Sequence, residues 1–395
     1  MSWGWWVAIV PVFCFGYAYF GYPGLLWLWS RGRPPLRRAA EPEEWPSVTV
    51  VLPVYNEVRV IGRTLDSLLA IDYPKDRFGI LVVSDASTDG TDEAVRGYAD
   101  RGVELLRLAE RSGKTGAENA AAVAIRGEIV INTDATIRIL PDALKPLVAS
   151  FTDPTVGVAS GRDVSVGALD VEASQGESRY VGYEMWLRGL ETRCGGIVGA
   201  SGCFYANRRH LHDHLFPTAL SRDFASALIA IEHGYRAISV DEAVCLVPRA
   251  ASLEVEYRRK TRTMARGLET LWYKRALLNP FRYGRYSWML FSHKLARWLV
   301  FLTAPLLPIG LAIAAPASAL AKVGLAVVAG GTLVAWLAWK GPQGIRDLHW
   351  SLRTAAFGLA SSVAGLVAWT KAIRGELNPV WEPTRRPDMG GGKAG

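Results

Sequence analysis

Cysteine is scarce in this chain. Cys14, Cys194, Cys203 and Cys245 are the four among 395 residues, and no two form a CxxC pair. That spacing excludes a zinc ribbon and a disulfide framework and leaves reduced thiols as the expectation. Histidine is equally thin. His210, His212 and His214 alternate, but Asp213 lies among them and the neighbours have helical spacing, so a solvated surface turn is expected rather than a metal site. Ser112-Gly113-Lys114-Thr115 lacks the glycine a phosphate-binding P-loop needs five residues before Gly113, where Leu108 stands. Charge is missing altogether from residues 1–30, 299–321, 323–339 and 354–370. A bilayer core of about 30 Å takes roughly 20 apolar helical residues, so the first two stretches are long enough to span and the last two nearly so.

Half of the residues are hydrophobic and fifteen are Trp, heavy usage for a soluble enzyme. Residues 1–30 have no basic leader and no small-residue cleavage site, which favours a membrane anchor over a removed signal. The net charge of +8 is carried mainly by arginines next to the apolar stretches, as in Arg31, Arg33, Arg37 and Arg38 and the run over 258–275. Membrane-proximal charge accounts for this better than nucleic acid does, and no nucleic-acid partner is expected. The chain divides into a membrane helix (1–30), a basic proline-containing linker (31–46), a soluble α/β part (47–250), an interfacial stretch (251–294), further membrane helices in two or three spans (295–372) and a polar tail (373–395). Met264, Leu268, Leu271 and Trp272 form one stripe of a helix with cations on the rest, the pattern of an amphipathic helix in the membrane interface.

The soluble part alternates strand and helix patterns. Strands are expected over 47–54, 79–83, 103–108 and 128–132, with helices over 57–69, 91–99 and 116–125. Such alternation implies a mostly parallel sheet with helices on both faces. Three strands end in polar signatures: Pro53-Val54-Tyr55-Asn56-Glu57, Ser84-Asp85-Ala86-Ser87-Thr88-Asp89-Gly90-Thr91, and Thr133-Asp134-Ala135-Thr136. Ligands of open α/β sheets sit beyond the carboxyl ends of strands. A single acid there is often a helix cap, and Asp89 fits that role for a helix starting near Thr91. Three together suit a nucleotide: a base stacked on Tyr55, polar groups read by Glu57 and Asp85, a metal-bound diphosphate near Asp134. Lys114 precedes a helix N-terminus, where a phosphate could meet cation and amides.

These motifs, with Gly113-Lys114 and Asn119, resemble the family 2 glycosyltransferases, and specifically the membrane-embedded branch that includes cellulose, chitin-oligosaccharide and hyaluronan synthases and bacterial exopolysaccharide enzymes. Gly199-Ala200-Ser201-Gly202-Cys203 resembles that family's acceptor loop, Ser221-Arg222-Asp223-Phe224 the segment with its catalytic base, and Arg259-Lys260-Thr261-Arg262-Thr263 its Gln-x-x-Arg-Trp motif. Ser292-His293-Lys294-Leu295-Ala296-Arg297-Trp298 and Trp381-Glu382-Pro383-Thr384-Arg385-Arg386 resemble stretches of bacterial members. The resemblance implies a GT-A fold and inverting transfer from a nucleotide-sugar, in first place a UDP-sugar. It gives Pro53, Tyr55, Glu57, Asp85, Lys114 and Asp134 to the donor, Asp134 to a divalent cation (Mg2+ or Mn2+), Ser201 and Gly202 to the acceptor, Arg259 and Arg262 to the diphosphate, and Asp223 to proton removal.

Three departures stand out. Thr136 replaces a second carboxylate, which puts metal dependence in question; Arg259 replaces the glutamine and Thr263 the tryptophan of the processive synthases' motif, where the tryptophan lines the acceptor site. The expected function is transfer to a growing polysaccharide or oligosaccharide. Single addition to a membrane lipid is the alternative, and a non-catalytic assembly subunit with a retained fold is the alternative from another class. The implied setting is the cytoplasmic (inner) membrane, multi-pass, with the catalytic domain facing the cytosol and partner subunits of an export or assembly system as further candidates. One conflict follows. Three spans after a cytosolic domain would put Lys371, Arg374, Arg385 and Arg386 outside, against the positive-inside rule, so one apolar stretch is re-entrant or interfacial, and the two short ones are the candidates.

Overall fold

In the computed structural model, residues 2–34, 38–166, 175–248, 252–342 and 349–376 are described. The stretch 381–386 therefore lies outside the described residues. Among the described residues eight strands form one sheet in the order β3-β2-β1-β4-β7-β6-β8-β5. They are β1 (Val48–Val54), β2 (Phe78–Ser84), β3 (Val103–Arg107), β4 (Ile129–Thr133), β5 (Arg138–Ile139), β6 (Val156–Val166), β7 (Phe204–Arg208) and β8 (Arg236–Pro248). The first four pair in parallel, as the alternation of strands and helices implies. β7 then enters antiparallel between β4 and β6, β6 and β8 are parallel, and β5 closes the edge antiparallel to β8. The sheet is mixed, with four of its seven pairings parallel.

β1 is buried along its whole length because Val48, Val50, Leu52 and Val54 face one helical layer and Val51 the other. Fully burying each such side chain is worth about 1.5–3 kcal/mol, so this strand anchors both layers. Helices α1 (Trp3–Ser30), α2 (Ile61–Leu69), α3 (Thr91–Arg96), α4 (Gly113–Ala121), α5 (Leu144–Ala149), α6 (Gln175–Cys194), α7 (Arg222–Glu232) and α8 (Leu253–Tyr273) follow in chain order. α2 starts later than its apolar spacing suggests, because Val60 and Ile61 first close a turn onto the Glu57 carbonyl. α4 starts earlier, at Gly113. The N-cap of α3 is Gly90 rather than Asp89, which sits one residue earlier and whose Oδ1 accepts from the first helical amide, Thr91, at 3.0 Å.

Among the described residues three helices are long and apolar enough to cross a membrane: α1, α11 (Ala319–Lys340) and α12 (Trp350–Arg374). A fourth candidate is a pair, α9 (Arg285–Thr303) and α10 (Leu306–Ala317), bent by 45° at Pro305. Of the four charge-free stretches, the long one over 299–321 is thus broken by this bend, while the two short ones lie inside unbroken helices. α1 and the α9–α10 pair run antiparallel. Tyr17 bonds Ser292 at 2.6 Å, and Gly4 and Gly310 approach so closely that a Cβ on either would strike the other's backbone. Each helix carries one π turn, at Tyr17–Gly21 and Phe291–Ala296, and the Tyr17–Ser292 bond joins them.

The stripe expected on α8 divides. Leu268 and Leu271 are buried, and Leu271 packs with Phe224 and Leu228 of the soluble part; Trp272 stays 66% exposed. The apolar stripe therefore serves the protein core first, and only the end of the helix offers aromatic surface. The histidine triplet also departs from expectation. It lies on a single helical turn and the start of the loop after it, and His212 is buried while His210 is exposed. The reason is the Arg222 guanidinium, which donates to the His212 carbonyl and draws that turn inward.

Candidate active site

The ends of β1, β2 and β4 lie side by side, since Val54 pairs with Ser84 and Val51 with Asn132. Beyond them opens a cavity of about 390 Å³. Glu57, Lys114, Asp134, Ser201, Gly202, Asp223, Arg259 and Arg262 all line it. Pro53, Tyr55 and Asp85 do not. Asp85 lies beneath, with Oδ1 accepting from the Ser112 amide at 2.7 Å and Oδ2 from the Gly113 amide at 2.9 Å. It thus fixes the start of α4 and so the position of Lys114. The Tyr55 ring is stacked by Arg111 at 3.6 Å, so a base arriving there meets a guanidinium–phenol pair.

Lys114 joins two parts of the cavity wall. Its ammonium bonds Asp134 Oδ1 at 2.5 Å and the Gly202 carbonyl at 3.0 Å. Burial works against its charge, but Asp134, Glu118 and Asp223 outweigh burial and hold it protonated above the usual lysine range. Burial, then the charges of Asp134 and Asp89, push the Glu57 carboxyl up to about 7. Asp223 opens α7. Its Oδ1 accepts from the Ser221 hydroxyl at 2.6 Å, which leaves Oδ2 toward the loop at Gly202. A Cβ on Gly202 would lie 2.9 Å from that oxygen, so this glycine is what makes room for the carboxylate. Ser201 is 3% exposed and its hydroxyl is committed to Asp163, at 2.7 and 2.6 Å from the two oxygens. Arg259 makes a two-pronged pair with Glu256, both bonds 2.8 Å.

Several residues on the cavity wall carry no motif. Glu118 is fully buried beside Lys114, with neither carboxylate oxygen hydrogen-bonded, and burial raises its pKa against the pull of Lys114 and Arg222. A lone acid in an alanine-rich helix was the available signal. Asp163 comes from β6. Arg266 of α8 reaches across to the Thr218 and Leu220 carbonyls and to Thr115, tying α8 to the loop before Asp223. At the far end the wall is made by Glu184, Arg188, Lys294, Trp298 and Phe357, which come from α6, α9 and α12. Lys294 and Trp298 fall in the quoted stretch Ser292–Trp298, whereas nothing in the local sequence marks Glu184, Arg188 or Phe357 as part of a site.

Residues 49–216 match the profile described as Glycosyl transferase family 2. The chain is 27% identical over 224 residues to an N-acetylglucosaminyltransferase of Rhizobium sp. (strain N33), covering 51% of this chain and 48% of that protein. It is 33% identical over 159 residues to the beta-monoglucosyldiacylglycerol synthase of Synechocystis sp., covering 39% of this chain and 32% of that one. The chain thus spans about half, or a third, of these relatives' length. Among solved structures it is similar to the mannosyltransferase PcManGT of Pyrobaculum calidifontis, solved in complex with GDP-Man and Mn2+. The TM-score is 0.69 at 26% identity, over 93% of this chain and 99% of that one.

Proposed function

From a chain that carries a family 2 glycosyltransferase domain of GT-A-like fold, we propose an inverting transferase that moves a sugar from a nucleotide donor to a hydroxyl of a membrane-borne acceptor. The observation that carries this reading is the placement of Asp223. One oxygen is fixed by Ser221, the other faces the side-chain-free Gly202, and the Lys114 ammonium bonds the carbonyl of that same glycine. Asp223 takes the proton of the acceptor hydroxyl. The freed oxygen pair forms the new bond to the anomeric carbon from the face opposite the diphosphate. The bond from that carbon to the diphosphate breaks, and the nucleoside diphosphate leaves with the electron pair. A sugar hydroxyl is a poor nucleophile without such a base in hydrogen-bond reach. Lys114, Arg262 and Arg266 lie on the cavity wall where the leaving group's charge gathers.

A divalent cation fits the residues in one way. Among the described residues no group of three or more His, Cys, Asp or Glu could hold a metal. Mg2+ and Mn2+ in phosphate sites are held by one or two carboxylates plus substrate oxygens. Asp134, with the Thr136 hydroxyl nearby on the wall, suits that arrangement, the diphosphate completing the set. When bound, the cation would offset charge on the diphosphate. Asp134 would then exchange its Lys114 partner for the ion, which frees the ammonium to meet a phosphate oxygen.

The acceptor side favours single addition to a lipid over extension of a polysaccharide. Trp298, from the bent candidate span α9–α10, and Phe357, from the long apolar helix α12, form its wall, and Thr263 stands where processive synthases keep tryptophan. The setting we infer is the cytoplasmic membrane with the α/β domain inside. The test is nucleoside diphosphate release by the detergent-purified chain over UDP- and GDP-sugars, with Mg2+ or Mn2+ or chelator, in native lipid extract. Metal-stimulated release with a glycosylated lipid product is expected. No turnover with any donor would favour a non-catalytic assembly subunit, and a ladder of long products a polymerase.

A further inference from the structure

The end of the cavity away from Lys114 gathers the cations Arg188, Lys294 and Arg297, the two arginines buried and Lys294 half-buried. Glu184 and Glu191 are the acids there, and both are already engaged. His293 bridges them, Nε2 to Glu184 at 2.9 Å and Nδ1 to Glu191 at 2.6 Å, and Arg297 donates to Glu184 at 2.9 Å. Arg188 lies 3.6 Å from Glu184. Lys294 is the next residue after His293 and faces the cavity. Among the described residues its ammonium makes no hydrogen bond or ion pair. Its near neighbours are the Phe224 ring, with the centroid 5.3 Å away, and the β-position of Gly199 at 3.3 Å. Arg188, Lys294 and Arg297 thus face two carboxylates that His293 already shares. Lys294 is half-buried, so an arriving anion finds an ammonium without a counter-charge in a partly dehydrated site and can form a charge-assisted bond to it. Lys294 also sits in the π turn Phe291–Ala296, a local widening of the helix that is common at functional sites.

Position decides which ligand this is. Lys114 touches the Gly202 end of the loop Gly199-Ala200-Ser201-Gly202, on the donor side. Lys294 touches the Gly199 end, beside Phe224, the residue after Asp223. An anion at Lys294 therefore belongs to the molecule that approaches Asp223 from the acceptor side, not to the donor diphosphate. The flanking wall is Trp298 and Phe357, so the same molecule presents apolar surface next to its charge. We propose that Lys294 is an acceptor-specificity residue: it binds a phosphate of a membrane lipid whose hydroxyl is the nucleophile. This rests on the transferase reading above and adds the acceptor's chemical class. Two sources carry that chemistry, a phospholipid with a free head-group hydroxyl and a sugar linked to a polyprenyl diphosphate.

The test uses the full chain in mixed micelles. Calorimetry first identifies the nucleotide-sugar that binds. Transfer is then measured to dioleoylphosphatidylglycerol against dioleoylglycerol, and to polyprenyl-diphosphate N-acetylglucosamine against a neutral polyprenyl glucoside. A kcat/KM at least tenfold higher for the phosphate-bearing member of one pair is expected, and the pair that shows it identifies the source. Lys294→Met is expected to remove most of that preference through KM, and Lys294→Arg to keep it. Equal or faster transfer to the neutral member by the wild-type chain, with donor binding intact, overturns the proposal and leaves the transferase reading standing. So does a Lys294→Met variant that keeps the wild-type preference. Absence of binding by every nucleotide-sugar overturns both.

Discussion

Asp223 and Glu57 are both acids on the cavity wall, and their surroundings set them to different tasks. Asp223 has a hydroxyl donor on one oxygen and open space at the other, the arrangement of a base that must accept a proton and release it. Asp223→Asn keeps the shape and removes the basicity. We expect the donor dissociation constant to stay near wild type by calorimetry while kcat falls by about 10²–10⁴, the usual contribution of general base catalysis. A variant with full turnover would remove Asp223 from this role. Glu57 is different because burial and two neighbouring carboxylates hold its proton on up to about pH 7. Its folded pKa is above the unfolded value, so its favourable contribution is complete below about pH 4.5 and is lost as pH rises through about 7. The ligand-free protein should therefore lose thermal stability between pH 5 and 8, and Glu57→Gln should flatten that part of the profile. A wild-type and variant melting curve with the same pH slope would contradict this assignment.

At the scale of elements, the site is a loop held against the first turn of a helix, and glycines decide how closely they approach. A Cβ on Gly202 would meet Asp223 Oδ2 at 2.9 Å, the end of a side chain that can swing away. A Cβ on Gly161 of β6 would meet the Ala243 carbonyl at 2.7 Å, which is backbone and cannot. Gly202→Ala should then melt close to wild type yet lose about 10²-fold in kcat, since a displacement near 1 Å of a catalytic group costs that much. Gly161→Ala should melt markedly lower. If Gly202→Ala loses its activity only along with its fold, the loop is structural. The same contrast shows what the sequence could and could not convey. β1, β2 and β4 were legible because strands buried on both faces read as unbroken β-branched runs. β6 and β8 mix Ser, Arg, Asp and Glu into their patterns and gave no such signal. The strand-end residues Glu57 and Asp134 and the loop at Gly202 could be placed from motifs. Asp163 could not, because it reaches the cavity from a segment distant in sequence, and Glu118, Arg266 and Lys294 lie in or beside quoted motifs whose pattern does not say which side chains turn to the cavity.

For the whole molecule, helix packing bears on the charge conflict posed by the tail. α6 is clamped to α1: Tyr22 donates to buried Glu191 at 2.6 Å, and Arg193 donates to the Ser30 carbonyl at 2.6 Å. The Ser30 end of α1 therefore adjoins the α/β domain, and its Trp3 end is far from it. The α9–α10 pair runs back along α1 and ends near Gly4, so it crosses the same depth despite its bend. α11 begins beside Ala8 and Ala314 and returns, with Lys340 reaching Glu254 at the start of α8. α12 does not repeat this path. It follows α8, with Ala356 and Ala360 packed near Leu253 and Lys260 bonded to Ser361 at 2.7 Å. Arg266 ties α8 to the loop before Asp223, and from this we infer that α12, which runs along α8, lies at the interface although it is long and apolar enough to cross. Exposed side chains agree: α1 and α11 display large apolar residues along their lengths, whereas α12 displays them only at its ends, Trp350 and Ile373. On this reading three segments cross, and Lys371 and Arg374 stay with the domain, as the positive-inside rule requires. Cysteine labelling in intact cells tests it, in a background without the four native thiols. Ser2→Cys should react with a membrane-impermeant maleimide, while Glu376→Cys and the domain marker Asp100→Cys should react only after the membrane is opened. Labelling of Glu376→Cys from outside would make α12 a true span and return the tail's arginines to the wrong side.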